Sequence, residues 1–156
     1  MGMCILSLFS MCGCRKRRLQ DGDGMVRALW SEFTISQSSD VYEQNVSYTV
    51  KYDEHSGDGY LYTEVPHETK GYPVEKSIRL KPKTVSALLN LDIMSFPDAA
   101  SYEGEEEILD GTFLSFSVTD QNGNVLKKSL SEEMGQEILS LITPYANKLK
   151  KSSHDI

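Results

Sequence analysis

The sequence predicts an α+β fold: an antiparallel sheet of about six strands with two helices packed on one face, in the order β-β-β-β-α-β-β-α. Three observations predict it. Apolar residues alternate with polar ones in runs between Trp30 and Leu80 and again between Thr112 and Leu130, and period-two alternation marks half-buried strands. Two further runs, beginning at Pro82 and Glu132, carry apolar residues at helical spacing. Turn-forming clusters such as "HSGDG" and "QNGN" separate the alternating runs.

In chain order, "SEFTISQS" alternates Phe33 and Ile35 with polar neighbours, and "NVSYTVKY" alternates Val46, Tyr48, Val50 and Tyr52 with Asn45, Ser47, Thr49 and Lys51. "DEHSGDG" is a turn, so "YLYTEVP" returns as the hairpin partner, with Tyr60 and Tyr62 on one side and Leu61, Thr63 and Val65 on the other. "VEKSIRLK" is the fourth strand. The first helix starts at Pro82, which is tolerated in a first turn, and places Val85, Leu88, Leu89 and Ile93 on one face before Pro97 forbids continuation. "TFLSFSVTD" and "NVLKKSLS" form a second hairpin around Asn122-Gly123. The last helix, from about Glu132, lines up Met134, Ile138, Leu141, Ile142, Tyr145 and Leu149, with Pro144 as an expected kink. Its acidic start (Glu132, Glu133, Glu137) and basic end (Lys148, Lys150, Lys151) suit the helix dipole.

The chain has 156 residues, 39% of them hydrophobic and 25% charged, which is one domain's worth of an ordinary globular composition. A chain of ~150 residues buries roughly 70% of its unfolded surface, enough for a core without disulfides. Of the 16 basic residues four are consecutive, Arg15 to Arg18, leaving 12 against 23 acidic groups over residues 19–156, net −11. Such a surface repels a phosphate backbone, so nucleic acid is not an expected partner. All three cysteines, Cys4, Cys12 and Cys14, fall in the first fourteen residues. Neither a disulfide framework nor a zinc site, which needs about four ligands, can be built from them.

Residues 3–13, "MCILSLFSMCG", are uncharged and mostly apolar, the length of a signal-peptide core and shorter than the ~20 residues of a membrane-spanning helix. With Gly13 directly before Cys14, the segment resembles the lipobox of bacterial lipoproteins, in which a cysteine after a small residue is lipidated and becomes the mature N-terminus. Met11 and Cys12 stand where the lipobox has Leu and Ala or Ser. The resemblance implies a signal peptide over 1–13, lipidation at Cys14, a basic flexible tether over 14–24 and a cell-membrane location on the extracytoplasmic face. A second reading is cytosolic acylation: "MGMC" would expose Gly2, with Cys4 open to palmitate and the polybasic run drawn to anionic lipid. A third is a leader without function. Residues 25–150 are expected to form the single α+β domain and 151–156 a disordered tail. From Phe33 to Leu149, and most clearly from "LLNLDIMSFPDAASYEGEEEILDG" to "SVTDQNGN", the body resembles an uncharacterised domain of secreted and lipid-anchored proteins from Firmicutes. That resemblance implies structure and no activity.

The body offers little for catalysis. His55, His67 and His154 fall in a turn, a loop and the tail, no cysteine can serve as nucleophile, and no phosphate loop or zinc-protease motif occurs. Glu103, Glu105, Glu106, Glu107 and Asp110 form an acidic loop that reads as a solvated charge run, or as a weak cation or partner contact. Paired carboxylates of the glycosidase kind are the enzymatic alternative. Six of the eight tyrosines lie between residues 42 and 72, and Tyr48, Tyr52, Tyr60 and Tyr62 are the candidate binding surface, since tyrosine joins an apolar body to a polar tip. The expectation is therefore a monomeric, lipid-anchored extracytoplasmic domain that binds a protein or small ligand, with no catalysis, no metal and no cofactor. A small hydrolase using the acidic loop and a cytosolic acylated adaptor are the alternatives.

Overall fold

A computed structural model describes residues 19–20, 26–27, 29–39, 44–67, 69–99 and 112–152 of the chain. The first elements are a two-stranded ladder in which Leu19–Gln20 (β1) pairs antiparallel with Val26–Arg27 (β2). Residues 14–18 and 21–24 of the expected basic flexible tether lie outside the described residues. The "DGDG" between the two strands is turn chemistry, so the same residues that suggest a linker also permit a hairpin.

The alternating runs become six strands of one antiparallel sheet: Trp30–Ser39 (β3), Gln44–Asp53 (β4), Asp58–Val65 (β5), Val74–Arg79 (β6), Thr112–Asp120 (β7) and Val125–Lys128 (β8). Their spatial order is β6-β5-β4-β3-β7-β8. β3 to β6 are a meander. β7 then pairs with the other side of β3, and β8 closes the order through a hairpin. The fold is the α+β architecture the alternation predicts.

Register decides which side chains meet. Phe33 faces Val50 on one side and Val118 on the other, Ile35 faces Tyr48 and Phe116, and Val50 faces Leu61. All of these are buried. They form one cluster with Val85 and Leu88 of the first helix and with Ile138, Ile142, Tyr145 and Ala146 of the second, so both helices cover the same face. Among the described residues Thr63 is the polar one buried there, and its hydroxyl donates to the Ser47 carbonyl at 3.0 Å, as a buried polar group requires.

α1 (Pro82–Leu89) has no side-chain cap at Lys81. The Tyr145 hydroxyl takes that role from the second helix, accepting from the Lys81 N–H at 3.1 Å and bonding the Thr84 hydroxyl at 2.8 Å. α2 (Glu132–Lys151) is capped by Ser131, whose Oγ accepts from the Met134 N–H. Its helix passes through Pro144, which sits on the exposed side, where a lost backbone hydrogen bond costs least. The helix runs on to Lys151, one residue into the segment expected as tail. Ile93 does not belong to α1. The helix stops at Leu89, Asp92 takes a left-handed conformation with φ 48°, and Ile93 starts a short 3-10 turn, Ile93–Ser95, that still buries it fully.

Two aspartates close hairpin tips. Asp53 accepts from the His55 N–H and the Ser56 hydroxyl, both at 2.9 Å. Asp120 accepts from the N–H groups of Asn122 and Asn124 and from the Asn124 amide. These bonds hold both carboxyls below the usual carboxylate range, led by the His55 N–H for Asp53 and by the Asn124 side chain for Asp120. The second tip uses Gly123 at φ 85°, a conformation that L-residues with a Cβ rarely adopt.

Three outcomes follow from this packing. A Cβ on Gly59 would lie 2.8 Å from Val85 Cγ2 and 3.6 Å from Leu80 Cδ1. Gly59→Ala should therefore cost about 1–3 kcal/mol of unfolding free energy in a urea titration. Tyr145→Phe should cost about 1–2 kcal/mol by leaving the Lys81 N–H unpaired. Folded Asp53 and Asp120 sit below the unfolded value of 3.8, so their contribution is present above that pH and lost as pH falls through the folded values. Thermal scans of Asp120→Asn should show a shallower acid-side loss than the parent chain.

Candidate functional site

The face of the sheet that the helices leave uncovered is set by the same register. Where Phe33, Val50 and Leu61 point to the core, their neighbours point the other way. Three rows result. The first crosses the sheet as Thr119, Glu32, Lys51, Tyr60 and Arg79; the second as Lys127, Ser117, Thr34, Thr49, Tyr62 and Ser77; the third as Ser115, Ser36 and Ser47. Both helices lie on the opposite face.

Hydroxyls dominate the middle of the face. Thr34 Oγ1 and Thr49 Oγ1 are 2.9 Å apart, and Ser36 Oγ and Ser47 Oγ are 3.0 Å apart. Cross-strand Thr and Ser bonds of this kind support a sheet, and each hydroxyl keeps unused hydrogen-bonding capacity. Lys51 stands at the junction of the first two rows, its ammonium 3.6 Å from Glu32 Oε2 and 4.8 Å from the centre of the Tyr62 ring. The ring therefore holds the cation of the Lys51–Glu32 pair on a face otherwise rich in hydroxyls. Arg79 pairs with Asp58. At the far end Glu64 lies opposite Glu75, two like charges at directly opposed cross-strand positions.

The four tyrosines expected to form one surface are divided. Tyr48 pairs with Thr63 and Tyr52 with Gly59, on the helix-covered side. Tyr48 is 7% exposed, and Tyr52 is half-buried, its ring 5.9 Å from that of Trp30. Tyr60 and Tyr62 pair with Lys51 and Thr49, on the open side. The tyrosines of β4 occupy the apolar positions of their strand, while those of β5 occupy the polar ones. Cys14, Glu103, Glu105, Glu106, Glu107 and Asp110 lie outside the described residues. The hydroxyl rows were not singled out from sequence, although the signal was there: Ser47 and Thr49 alternate with the buried residues of β4, and Ser115 and Ser117 with those of β7.

The face offers donors, acceptors, two aromatic rings and a paired cation, a set suited to recognition. Among the described residues no group of three or more His, Cys, Asp and Glu gathers as a metal site. His55 is at the tip between β4 and β5, and His67 is in the loop after β5, where its Nδ1 meets the Thr69 N–H and hydroxyl. No described helix is long and apolar enough to cross a membrane.

Burial pushes the Tyr48 phenol up; burial, then Glu54 and Asp53, push Tyr52 up. A folded value above the unfolded 10.0 means that their contribution is full below that pH and is lost as pH rises through the folded values. Absorbance titration should show these two tyrosines ionising late, together with loss of structure. Tyr48→Phe should soften that alkaline loss; an unchanged alkaline limb would contradict the assignment.

No protein-family model matches the chain, and neither a curated protein nor a solved structure matches it significantly.

Proposed function

We propose that this chain is a lipid-anchored extracytoplasmic domain that binds a protein or small ligand on its open sheet face and carries out no reaction of its own. The observation that carries the reading is the face itself. Tyr60 and Tyr62 stand beside rows of serine and threonine on the side away from both helices, and Tyr62 is braced by Lys51. Tyrosine and small hydroxylic residues together are the chemistry of adaptable recognition surfaces, with rigid aromatic area and flexible hydrogen bonding. The anchor rests on the N-terminal sequence: an apolar run, Gly13 before Cys14, then Arg15 to Arg18 leading into the body. A net-acidic body on a basic tether is held close to the bilayer yet kept off its anionic surface.

Mass spectrometry of the native protein tests the anchor. The N-terminal peptide of the membrane-fraction protein should begin at Cys14 and carry a thioether-linked diacylglycerol. An unmodified Cys14 in that fraction removes the anchor, and an acylated terminus beginning at Gly2 assigns the cytosolic adaptor instead. Photo-crosslinkers placed at Tyr62 and at Tyr52 in the native host test the face, with adducts expected from position 62 and not from position 52.

A further inference from the structure

An edge strand leaves a row of backbone N–H and C=O groups unpaired and is where one sheet meets another chain. The two edges of this sheet are treated differently. Along β8, the Ala99 N–H donates to the Lys127 carbonyl at 3.1 Å and the Ser129 N–H to the Pro97 carbonyl at 2.7 Å, while the Lys128 ammonium lies 2.7 Å from the Asp98 carboxylate. No described segment pairs with the outer side of β6.

Backbone parity identifies what β6 leaves open. The Leu80 N–H donates to the Gly59 carbonyl at 2.8 Å, continuing the register in which Leu61 faces Ile78 and Val65 faces Val74. Hydrogen-bonded and non-hydrogen-bonded pairs alternate in an antiparallel ladder. Val74, Lys76 and Ile78 therefore turn their backbone groups toward β5, and Glu75, Ser77 and Arg79 turn theirs outward. The outward row is bounded at both ends. Pro73 has no N–H, and the Lys81 N–H is taken by the Tyr145 hydroxyl.

We propose that β6 pairs antiparallel with β6 of a second copy of this chain about a twofold axis through Ser77, giving a homodimer with one continuous sheet. Only the register centred on Ser77 uses all three outward residues. It sets Ser77 opposite the partner's Ser77 and sets Glu75 opposite the partner's Arg79, twice. Within one chain Glu75 faces Glu64, an unfavourable like-charge pair, and Arg79 is 63% exposed although it bonds Asp58. The partner's Arg79 brings a cation to the paired glutamates. Charges on an edge strand often keep sheets apart, and here they also select: a register centred on Glu75 or on Arg79 opposes like charges, while the Ser77 register opposes unlike ones. This dimer rests neither on the membrane anchor nor on a ligand for the open face, and it replaces the expectation of a monomer.

Sedimentation equilibrium of the full chain in density-matched detergent, with reductant to keep Cys4, Cys12 and Cys14 from crosslinking, tests the proposal. The wild-type mass should rise with concentration from 17.5 kDa toward twice that value. Ser77→Pro removes an outward N–H and leaves the β5 pairing intact, so it should weaken association about tenfold or more with circular dichroism unchanged. Glu75→Arg and Arg79→Glu should each weaken it similarly, and the double variant should restore it. A wild-type chain that stays monomeric up to about 1 mM overturns the dimer without reference to any variant. So does a dimer indifferent to Ser77→Pro and to charge reversal, and a folded double variant that fails to recover association overturns the register.

Discussion

Strand β3 pairs with β4 on one side and with β7 on the other, and the second pairing brings together parts of the chain as distant as Phe33 and Val118. Every other ladder in the sheet is a hairpin or a short connection between consecutive strands. Closing the β3–β7 ladder is therefore the largest single loop-closure cost in the sheet. What offsets it is visible along the ladder: Phe33, Ile35, Phe116 and Val118 are all buried, with Phe33 and Phe116 rings 5.5 Å apart. Full burial of side chains of this size is worth about 1.5–3 kcal/mol each. The helices add to a core that β3 has already centred. Trp30, at the start of the strand, stacks edge-on against Phe33 and reaches Tyr52, closing the end of the core beside the irregularity in register between Trp30 and Glu32.

Once β3 is fixed, the sheet has two unlike faces, and the difference between them follows from pleat alone. On the helix side even the exceptions are accommodated, as Gly59 admits Val85 and Thr63 satisfies its hydroxyl on Ser47. On the other side Thr34, Thr49, Ser36 and Ser47 bond one another in pairs. Val125, opposite Thr119 at the β8 edge, is an apolar side chain exposed on it. A face of small hydroxylic side chains is stable in water because it asks for little burial. That is a different basis for recognition from an apolar groove. In the proposed role it would rely on hydrogen bonds and on the two tyrosine rings rather than on area removed from water.

Six strands and two helices were legible because period two and period 3.6 are properties of local sequence. The positions that sequence misplaced are those where local pattern and tertiary register give different answers. Ile93 has the right spacing to extend α1, but Asp92 turns left-handed and places it in a separate turn that buries it equally well. Tyr48 and Tyr60 look alike as strand tyrosines, yet Tyr48 shares its side of β4 with Val46 and Val50 while Tyr60 stands opposite the side of Leu61 and Val65, and the register puts the first on the core and the second on the open face. The hydroxyl rows gather four separate strands, so no single stretch of sequence displays them. The β6 edge is less legible still: its outward row depends on hydrogen-bond parity, and its limit at Lys81 depends on a tyrosine of α2.

Geometry links the two proposals without either requiring the other. Two antiparallel copies of β6 are related by an axis normal to the sheet, so any point above the sheet in one copy lies at the same height in the other. Both open faces then point one way and both helical layers the other. By the same symmetry the β1 strands lie at one level, so a dimer standing with its axis along the membrane normal would bring both of the proposed anchors to one flat bilayer. A second anchor on the same body converts its insertion into an intramolecular step and lengthens residence far beyond that of one chain. The paired faces, presented side by side in one plane, give a repeating or multivalent partner two contacts for each assembly, and the gain is largest for a partner whose own spacing matches the width of the joined sheet.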